Sequence, residues 1–142
     1  MFFVSSCSNG TSDYSGDFSG ETLEVFANAS DNGNSNFSYP ISRRKGLSNQ
    51  AKDIVVEALL GGGYSLKWKY VHRESWEELK FNEIPVVIPE NGEFNASRIL
   101  DLGTHKINQE IQIFLAEDYV EIYEIEHLNT GCRFVAGHYN RN

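Results

Sequence analysis

The chain has 142 residues, with 12 basic and 20 acidic side chains, a formal net charge of −8 and a pI near 4.9. This length suits one domain with its own core, and an aromatic content of 13% excludes a wholly disordered chain. No apolar run approaches the ~20 residues that cross a bilayer as a helix. The acidic balance argues against an ordinary basic nucleic-acid binder, so we expect no nucleic-acid partner.

The first twenty residues have the composition of a flexible tether. Thirteen of the sixteen positions from Ser5 to Gly20 are Ser, Gly, Asn, Asp or Thr, and such a segment buries too little apolar surface to offset its ordering entropy. The first 35 residues also hold five of the acids and no Lys or Arg, which leaves 15 acids against 12 bases in the remainder. The folded part is therefore close to neutral.

The chain begins with Met1-Phe2-Phe3 and continues with Val4-Ser5-Ser6-Cys7. The second segment resembles a lipobox, the end of a bacterial lipoprotein signal peptide. The resemblance implies cleavage before Cys7, a lipid on its thiol and membrane contact only through that lipid. Six residues are too few for the apolar part of a signal, so either the true start lies upstream or the match is incidental. We divide the chain into a signal remnant and tether (1–20) and a single domain (21–142).

Two strands and one helix are predicted before residue 61. Thr22–Ala27 alternates polar and apolar residues, and Phe37–Ile41 does the same. Ser48 is a suitable N-cap, and Gly61-Gly62-Gly63 is a suitable helix end. Between them lie apolar residues at helical spacing, which predict one main helix over 48–60. These residues are Ala51, Ile54, Val55, Ala58 and Leu59.

A period of two follows the predicted helix. Tyr64, Leu66, Trp68 and Tyr70 face one way, and the interleaved Ser65, Lys67 and Lys69 face the other. Further along the chain, Val86–Ile88 between two prolines suits an edge strand, Asn91-Gly92 predicts a turn, and Arg98–Leu102 predicts a weaker strand.

The last third of the chain predicts a three-stranded meander. Its strands are Ile111–Leu115, Val120–Leu128 and Cys132–His138. A two-residue turn at 117–118 pairs Leu115 with Val120, and a three-residue loop at 129–131 pairs Leu128 with Cys132. We predict an α+β fold in which a curved, mainly antiparallel sheet of six or seven strands packs on the helix 48–60.

The register of the meander suggests weak candidates for catalysis. The three-residue loop places His127 opposite Arg133 on one face, and Glu124 lies diagonal to His138 on the other. A small ribonuclease needs a general acid, a general base and a cation on one face, and each of these pairs lacks one member. In this register Cys132 and His127 lie on opposite faces and cannot form a hydrogen bond.

Candidates for binding are also weak. Trp68 and Tyr70, with Lys67 and Lys69 between them, could hold a sugar or a protein partner if exposed. No His, Cys or carboxylate spacing matches a metal motif, and we expect no metal or cofactor. Cys132 is a buried thiol if Cys7 carries a lipid, and a Cys7–Cys132 disulfide is the alternative.

We therefore expect a non-catalytic binding module displayed on or secreted from a bacterial cell envelope. Such a module could bind a protein partner, act as an inhibitor or immunity-type protein, or bind a glycan. One alternative is a small secreted or toxin-type hydrolase such as a ribonuclease, which uses His127 with Arg133 or Glu124 with His138. A further alternative is a structural subunit of an envelope assembly.

Overall fold

A computed structural model describes residues 13–28, 45–104, 106–128 and 131–142 of the chain. These residues form strands and turns without a helix, so they contain no helix that could cross a membrane. The strands are β1 (Gly16–Asn28), β2 (Lys45–Ala58), β3 (Tyr64–Tyr70), β4 (Glu77–Glu78), β5 (Lys80–Phe81), β6 (Ile84–Pro85), β7 (Glu93–Asp101), β8 (Lys106–Leu115), β9 (Tyr119–Leu128) and β10 (Gly131–Arg141).

Eight of these strands form one antiparallel sheet in the order β4-β3-β2-β1-β10-β9-β8-β7. The sheet curls so that one face, the concave face, buries a single apolar core contributed by seven of the eight strands and the 79–88 segment. This core contains four fully buried side chains, those of Phe18, Ile54, Ile113 and Val120. Burial of one face and solvation of the other is usual for an antiparallel sheet.

The segment 79–88 packs against β3 and β7. Tyr64 and Ile88 form an isolated antiparallel bridge at the β3 edge. The ring of Phe81 contacts that of Phe94, on β7, with centroids 6.1 Å apart. Side chains rather than strand hydrogen bonds therefore connect this segment to the β7 edge.

The predicted α+β fold is wrong, because residues 45–58 form strand β2 and not a helix. In the strand, Lys52, Ile54 and Val56 point into the core, whereas Ala51 and Glu57 are exposed. A lysine at an inward position interrupts the apolar alternation, so the same residues gave a better match to a helical period. Three β-branched residues in succession at 54–56 favour the strand.

The glycines after this strand form a hairpin turn and not the predicted helix end. Gly62 and Gly63 have φ values of 98° and 80°, in the left-handed region that glycine adopts at low cost. Gly61, the residue predicted there, is not among the residues with positive φ. The turn connects β2 directly to β3, as in a tight hairpin.

Several strand predictions agree with the structure. Thr22–Ala27 lies within β1, and Arg98–Asp101 ends β7. β3 spans Tyr64–Tyr70 as predicted, and β8, β9 and β10 form the predicted meander. The predicted strand Phe37–Ile41 and Cys7 lie outside the described residues.

Residues 16–20, which the prediction places in the tether, belong to strand β1. Strand β1 begins at Gly16, and the Phe18 side chain is fully buried in the core. Gly20 lies directly opposite Tyr139 of β10. Small residues occur here because neighbouring strands approach closely, and not because the segment lacks structure.

The β9–β10 hairpin differs from the prediction by one residue. Leu128 pairs with Gly131 and His127 pairs with Cys132, so the connection has two residues instead of three. The predicted pairing of His127 with Arg133 is therefore wrong. Since side chains alternate along a strand, a shift of one residue moves every β10 side chain to the other face relative to β9.

Candidate functional site

The concave face has an apolar half and a polar half. The polar half is crossed by five hydrogen-bonded side chains from five neighbouring strands, which we call the polar ladder: Glu24 on β1, Arg133 on β10, Glu126 on β9, Gln109 on β8 and Arg98 on β7. The side chains of Glu24 and Glu126 are only 9% and 20% exposed. The ladder thus places acidic and basic side chains inside the curled sheet.

Each member of the polar ladder is satisfied by its neighbours. Arg133 pairs with Glu24 and, at 3.3 Å, with Glu126. Gln109 donates to Glu126 at 3.2 Å and accepts from Arg98 Nε at 2.9 Å. A buried polar network stabilises one register when all of its members are bonded. We therefore regard the ladder as a structural element that fixes the walls of the site.

Lys52 and Glu124 lie on the same face but outside the polar ladder. Lys52 is 4% exposed, and its ammonium lies 4.9 Å from the ring centroid of Tyr70, 5.4 Å from that of Trp68 and 6.0 Å from that of Tyr139. Aromatic faces attract a cation at these distances. The three rings therefore form a cage that holds the ammonium in place.

A small cavity separates Lys52 from Glu124. Both groups line a space of about 20 Å³, enough for about one water molecule. Its other walls are aromatic and aliphatic: Trp68, Leu66, Leu79, Ile111, Ile113 and Ile122. Among the described residues, no hydrogen bond or ion pair of the Lys52 ammonium or the Glu124 carboxylate is found, at distances of up to 4.0 Å for ion pairs. We call this space the Lys52–Glu124 cavity.

Burial shifts the protonation equilibria of both groups towards their neutral forms. Desolvation lowers the pKa of Lys52, although the charges of Glu124 and Glu24 oppose the shift. Desolvation likewise raises the pKa of Glu124, against the opposing charges of Lys52 and Arg133. Opposed shifts in two groups around one cavity are typical of binding and catalytic sites.

The predicted binding residues occupy two faces. Trp68 and Tyr70 are on the concave face against Lys52, whereas Lys67 and Lys69 form 3.5 Å ion pairs on the convex face with Glu57 and Asp53. The predicted separation of rings from lysines is therefore present, and the four residues do not form one surface. The rings belong to the wall of the Lys52–Glu124 cavity.

The predicted catalytic pairs do not meet. Arg133 belongs to the polar ladder inside the sheet, whereas His127 lies on the convex face. Glu124 lines the internal cavity, whereas His138 is exposed and contacts Glu121 at 2.8 Å. The two members of each pair thus lie on opposite faces of the sheet. Residues on opposite faces cannot contact the same substrate.

His127 instead joins two convex-face residues. Its Nδ1 lies 3.4 Å from the Cys132 sulfur, and its Nε2 lies 2.8 Å from a Glu110 oxygen. The prediction that Cys132 and His127 cannot form a hydrogen bond is therefore wrong, because the two-residue connection puts both on one face. We find no group of three or more metal-ligating side chains with suitable geometry in the described ranges.

Sequence reasoning missed Lys52, Gln109 and most of the polar ladder. Lys52 lies within the predicted helix 48–60, and a lysine on a helix is ordinarily solvated. Glu124 and Glu126 alternate with apolar residues in β9, and the charged side of such a strand normally faces water. The pattern that could have indicated their inward position is the spacing of two that continues from Val120 and Ile122 to both acids, which places all four on one face of the strand.

Comparisons of the chain with protein-family models, with curated proteins and with solved structures find no match.

Proposed function

We propose that this chain is a non-catalytic binding module displayed on or secreted from a bacterial cell envelope, and that it binds a small carboxylate-bearing molecule at the Lys52–Glu124 cavity. The observation that supports this proposal is that these two oppositely charged groups line one cavity with opposed pKa shifts, and that neither forms a hydrogen bond or an ion pair with another described residue. Their polar atoms reach accessible space, since no fully buried side-chain nitrogen or oxygen among the described residues lacks a hydrogen bond, yet charges held in so apolar a cavity still cost stability. Such a cost is retained when the group has a ligand to bind.

The Lys52 ammonium favours a carboxylate as the ligand. It has three N–H donors, and the surrounding rings hold it without accepting strong hydrogen bonds. The raised pKa of Glu124 allows this carboxyl to be protonated when an anion enters, which removes like-charge repulsion and supplies a second donor. The cavity holds about one water molecule and admits only the carboxylate group, so an apolar tail lies outside it, against the partly exposed rings of Trp68 and Tyr70.

We expect butyrate to bind, with a Kd in the millimolar range for so small a ligand, whereas butanol and butylamine do not. Trp68 borders the cavity, and the other of the two tryptophans, Trp76, is 44% exposed. In a Trp76→Phe variant Trp68 is therefore the only tryptophan, and its fluorescence reports binding. Affinity should increase as the pH falls from 8, because the pKa of Glu124 is raised and binding couples to its protonation.

Matched variants on the two faces of neighbouring strands test the site. Lys52→Met should abolish the butyrate response, and Lys67→Met, on the convex face, should leave it unchanged. The double variant Lys52→Met/Glu124→Leu serves as a folded control without charges. An equal response in Lys52→Met, or no saturable response to butyrate in the parent, would contradict the proposed ligand.

The envelope location is tested separately by metabolic labelling with palmitate. If Val4-Ser5-Ser6-Cys7 acts as a lipobox, the protein expressed from its native gene incorporates the label and fractionates with membranes. Cys7→Ser should lose both properties because the acceptor thiol is gone, and Cys132→Ser should keep both. Label that persists in Cys7→Ser argues against the anchor without affecting the proposed cavity.

A further inference from the structure

The convex face carries a thiol, an imidazole and a carboxylate in series. His127, on β9, lies between the other two residues. Its Nδ1 is 3.4 Å from the sulfur of Cys132 on β10, and its Nε2 is 2.8 Å from a carboxylate oxygen of Glu110 on β8. If Nε2 of His127 carries the proton and donates to Glu110, then Nδ1 is an acceptor for the thiol hydrogen. This arrangement allows the proton of Cys132 to move to the imidazole, while Glu110 stabilises the resulting cation.

We propose that Cys132 is a site of oxidation to a sulfenic acid by small hydroperoxides, activated by His127 and Glu110. The thiol proton passes to His127 Nδ1, and the thiolate attacks one oxygen of the peroxide. The S–O bond forms as the O–O bond breaks, and sulfur is oxidised to a sulfenic acid while the peroxide is reduced. The imidazolium returns its proton to the leaving hydroxide, so hydrogen peroxide yields one sulfenic acid and one water.

Burial of the thiol selects for the size of the oxidant. Cys132 is 2% exposed, which hinders bulky disulfides. The His127 side chain is 35% exposed and lines an open groove together with Asn108 and Glu110. An oxidant in this groove meets the imidazole first, and only one as small as hydrogen peroxide is compatible with the burial of the sulfur. The charged and titratable side chains that face Cys132 from the described strands are His127 and, behind it, Glu110.

The matched control is a second histidine–carboxylate pair on the same face. His138 Nδ1 lies 2.8 Å from Glu121, the same distance as in the His127–Glu110 pair, yet no hydrogen bond to a thiol is found for it in the described residues. Substitution of His138 therefore removes a similar convex-face interaction without touching Cys132. It separates a specific effect on the thiol from a general loss of stability.

The test uses the Cys7→Ser protein, in which Cys132 is the only cysteine, treated with hydrogen peroxide and with dimedone to trap the sulfenic acid. Mass spectrometry measures the trapping rate. At pH 7 we expect His127→Asn to lower the rate about tenfold, because an ordinary thiol is only a few per cent ionised there. Glu110→Gln should lower it by a smaller factor, and His138→Asn should leave it unchanged.

The pH profile distinguishes activation from a structural role of His127. Near pH 9.5 an ordinary thiol is ionised without a base, so the rates of the parent and of His127→Asn should converge. A variant that merely opened the site would instead react faster at both pH values, and that outcome would overturn the proposal. It would also be overturned by trapping that occurs only in urea, or by equal rates at pH 7.

Discussion

Replacement of Lys52 by Met is expected to lower the free energy of unfolding by about 1–3 kcal/mol at pH 8, although Met retains most of the aliphatic volume. The reason is that the charge of Lys52 opposes the desolvation of Glu124. Without it, the carboxylate is left in the cavity beside Trp68 and aliphatic side chains with less compensation. Unfolding by denaturant at pH 8 measures the loss.

The cost should shrink as the pH falls. Burial raises the pKa of Glu124 above its value in the unfolded chain, so its charge costs stability above the folded pKa. That cost disappears as the pH falls below the unfolded value near 4.5. At pH 5, protonation of an ordinary carboxyl costs only about 1 kcal/mol. Lys52→Met should therefore approach the stability of the parent at pH 5.

Removal of both charges should reverse the sign of the effect. The lowered pKa of Lys52 means that its charge costs stability below the folded pKa, and that this cost disappears only as the pH rises through the unfolded value. At neutral pH both groups are therefore unfavourable, and Lys52→Met/Glu124→Leu should be as stable as the parent or more stable by about 1–4 kcal/mol. We expect this variant to have lost the butyrate response.

The convex ion pair of Lys67 and Glu57 provides the control for this cycle. Its side chains are 42% and 54% exposed, and such pairs contribute at most about 1 kcal/mol. Lys67→Met and Glu57→Leu should thus have small and additive effects that vary little between pH 5 and pH 8. Additive effects of the Lys52 and Glu124 substitutions would argue against coupling across the cavity.

Substitution of Gly20 by Ala is expected to cost about 3 kcal/mol. A Cβ on Gly20 would collide with the backbone carbonyl oxygen of His138 and would lie 3.0 Å from the Cα of Tyr139. Backbone atoms within a sheet cannot move aside as a side chain can. The substitution must therefore separate β1 from β10 where these two strands support Tyr139, one wall of the Lys52 cage.

Gly61→Ala is the matched control for Gly20→Ala. No atom lies within 4 Å of a Cβ built on Gly61, and its φ is outside the left-handed region. Its free energy of unfolding should change by less than about 0.5 kcal/mol. Denaturant unfolding of both variants is the measurement. Equal stabilities would show that β1 and β10 do not approach closely at Gly20.

Local patterns predicted those elements whose side chains follow the ordinary rule of apolar inside and polar outside. Alternation in Tyr64–Tyr70 predicted β3 and the separation of its rings from its lysines. The two-residue turn after Leu115 predicted the pairing of that residue with Val120. Both results depend on neighbours along the chain, and sequence contains that information directly.

The predictions failed where a charged residue lies inside or where one loop residue sets the register. Lys52 points into the core, so residues 45–58 matched a helix better than a strand. The β9–β10 connection has two residues rather than three, so His127 meets Cys132 and not Arg133. Turn geometry and strand twist in three dimensions decide such a one-residue shift.

The sequence by itself determined the acidic charge, the tether-like N-terminal composition, the β3 alternation and the C-terminal meander. Only the tertiary structure decided that Glu24, Arg133, Glu126, Gln109 and Arg98 join across five strands, and that Lys52 and Glu124 face one cavity. The physical reason is that a charge is tolerated inside the sheet through partners far away in sequence. The spacing along one strand carries no information about such partners.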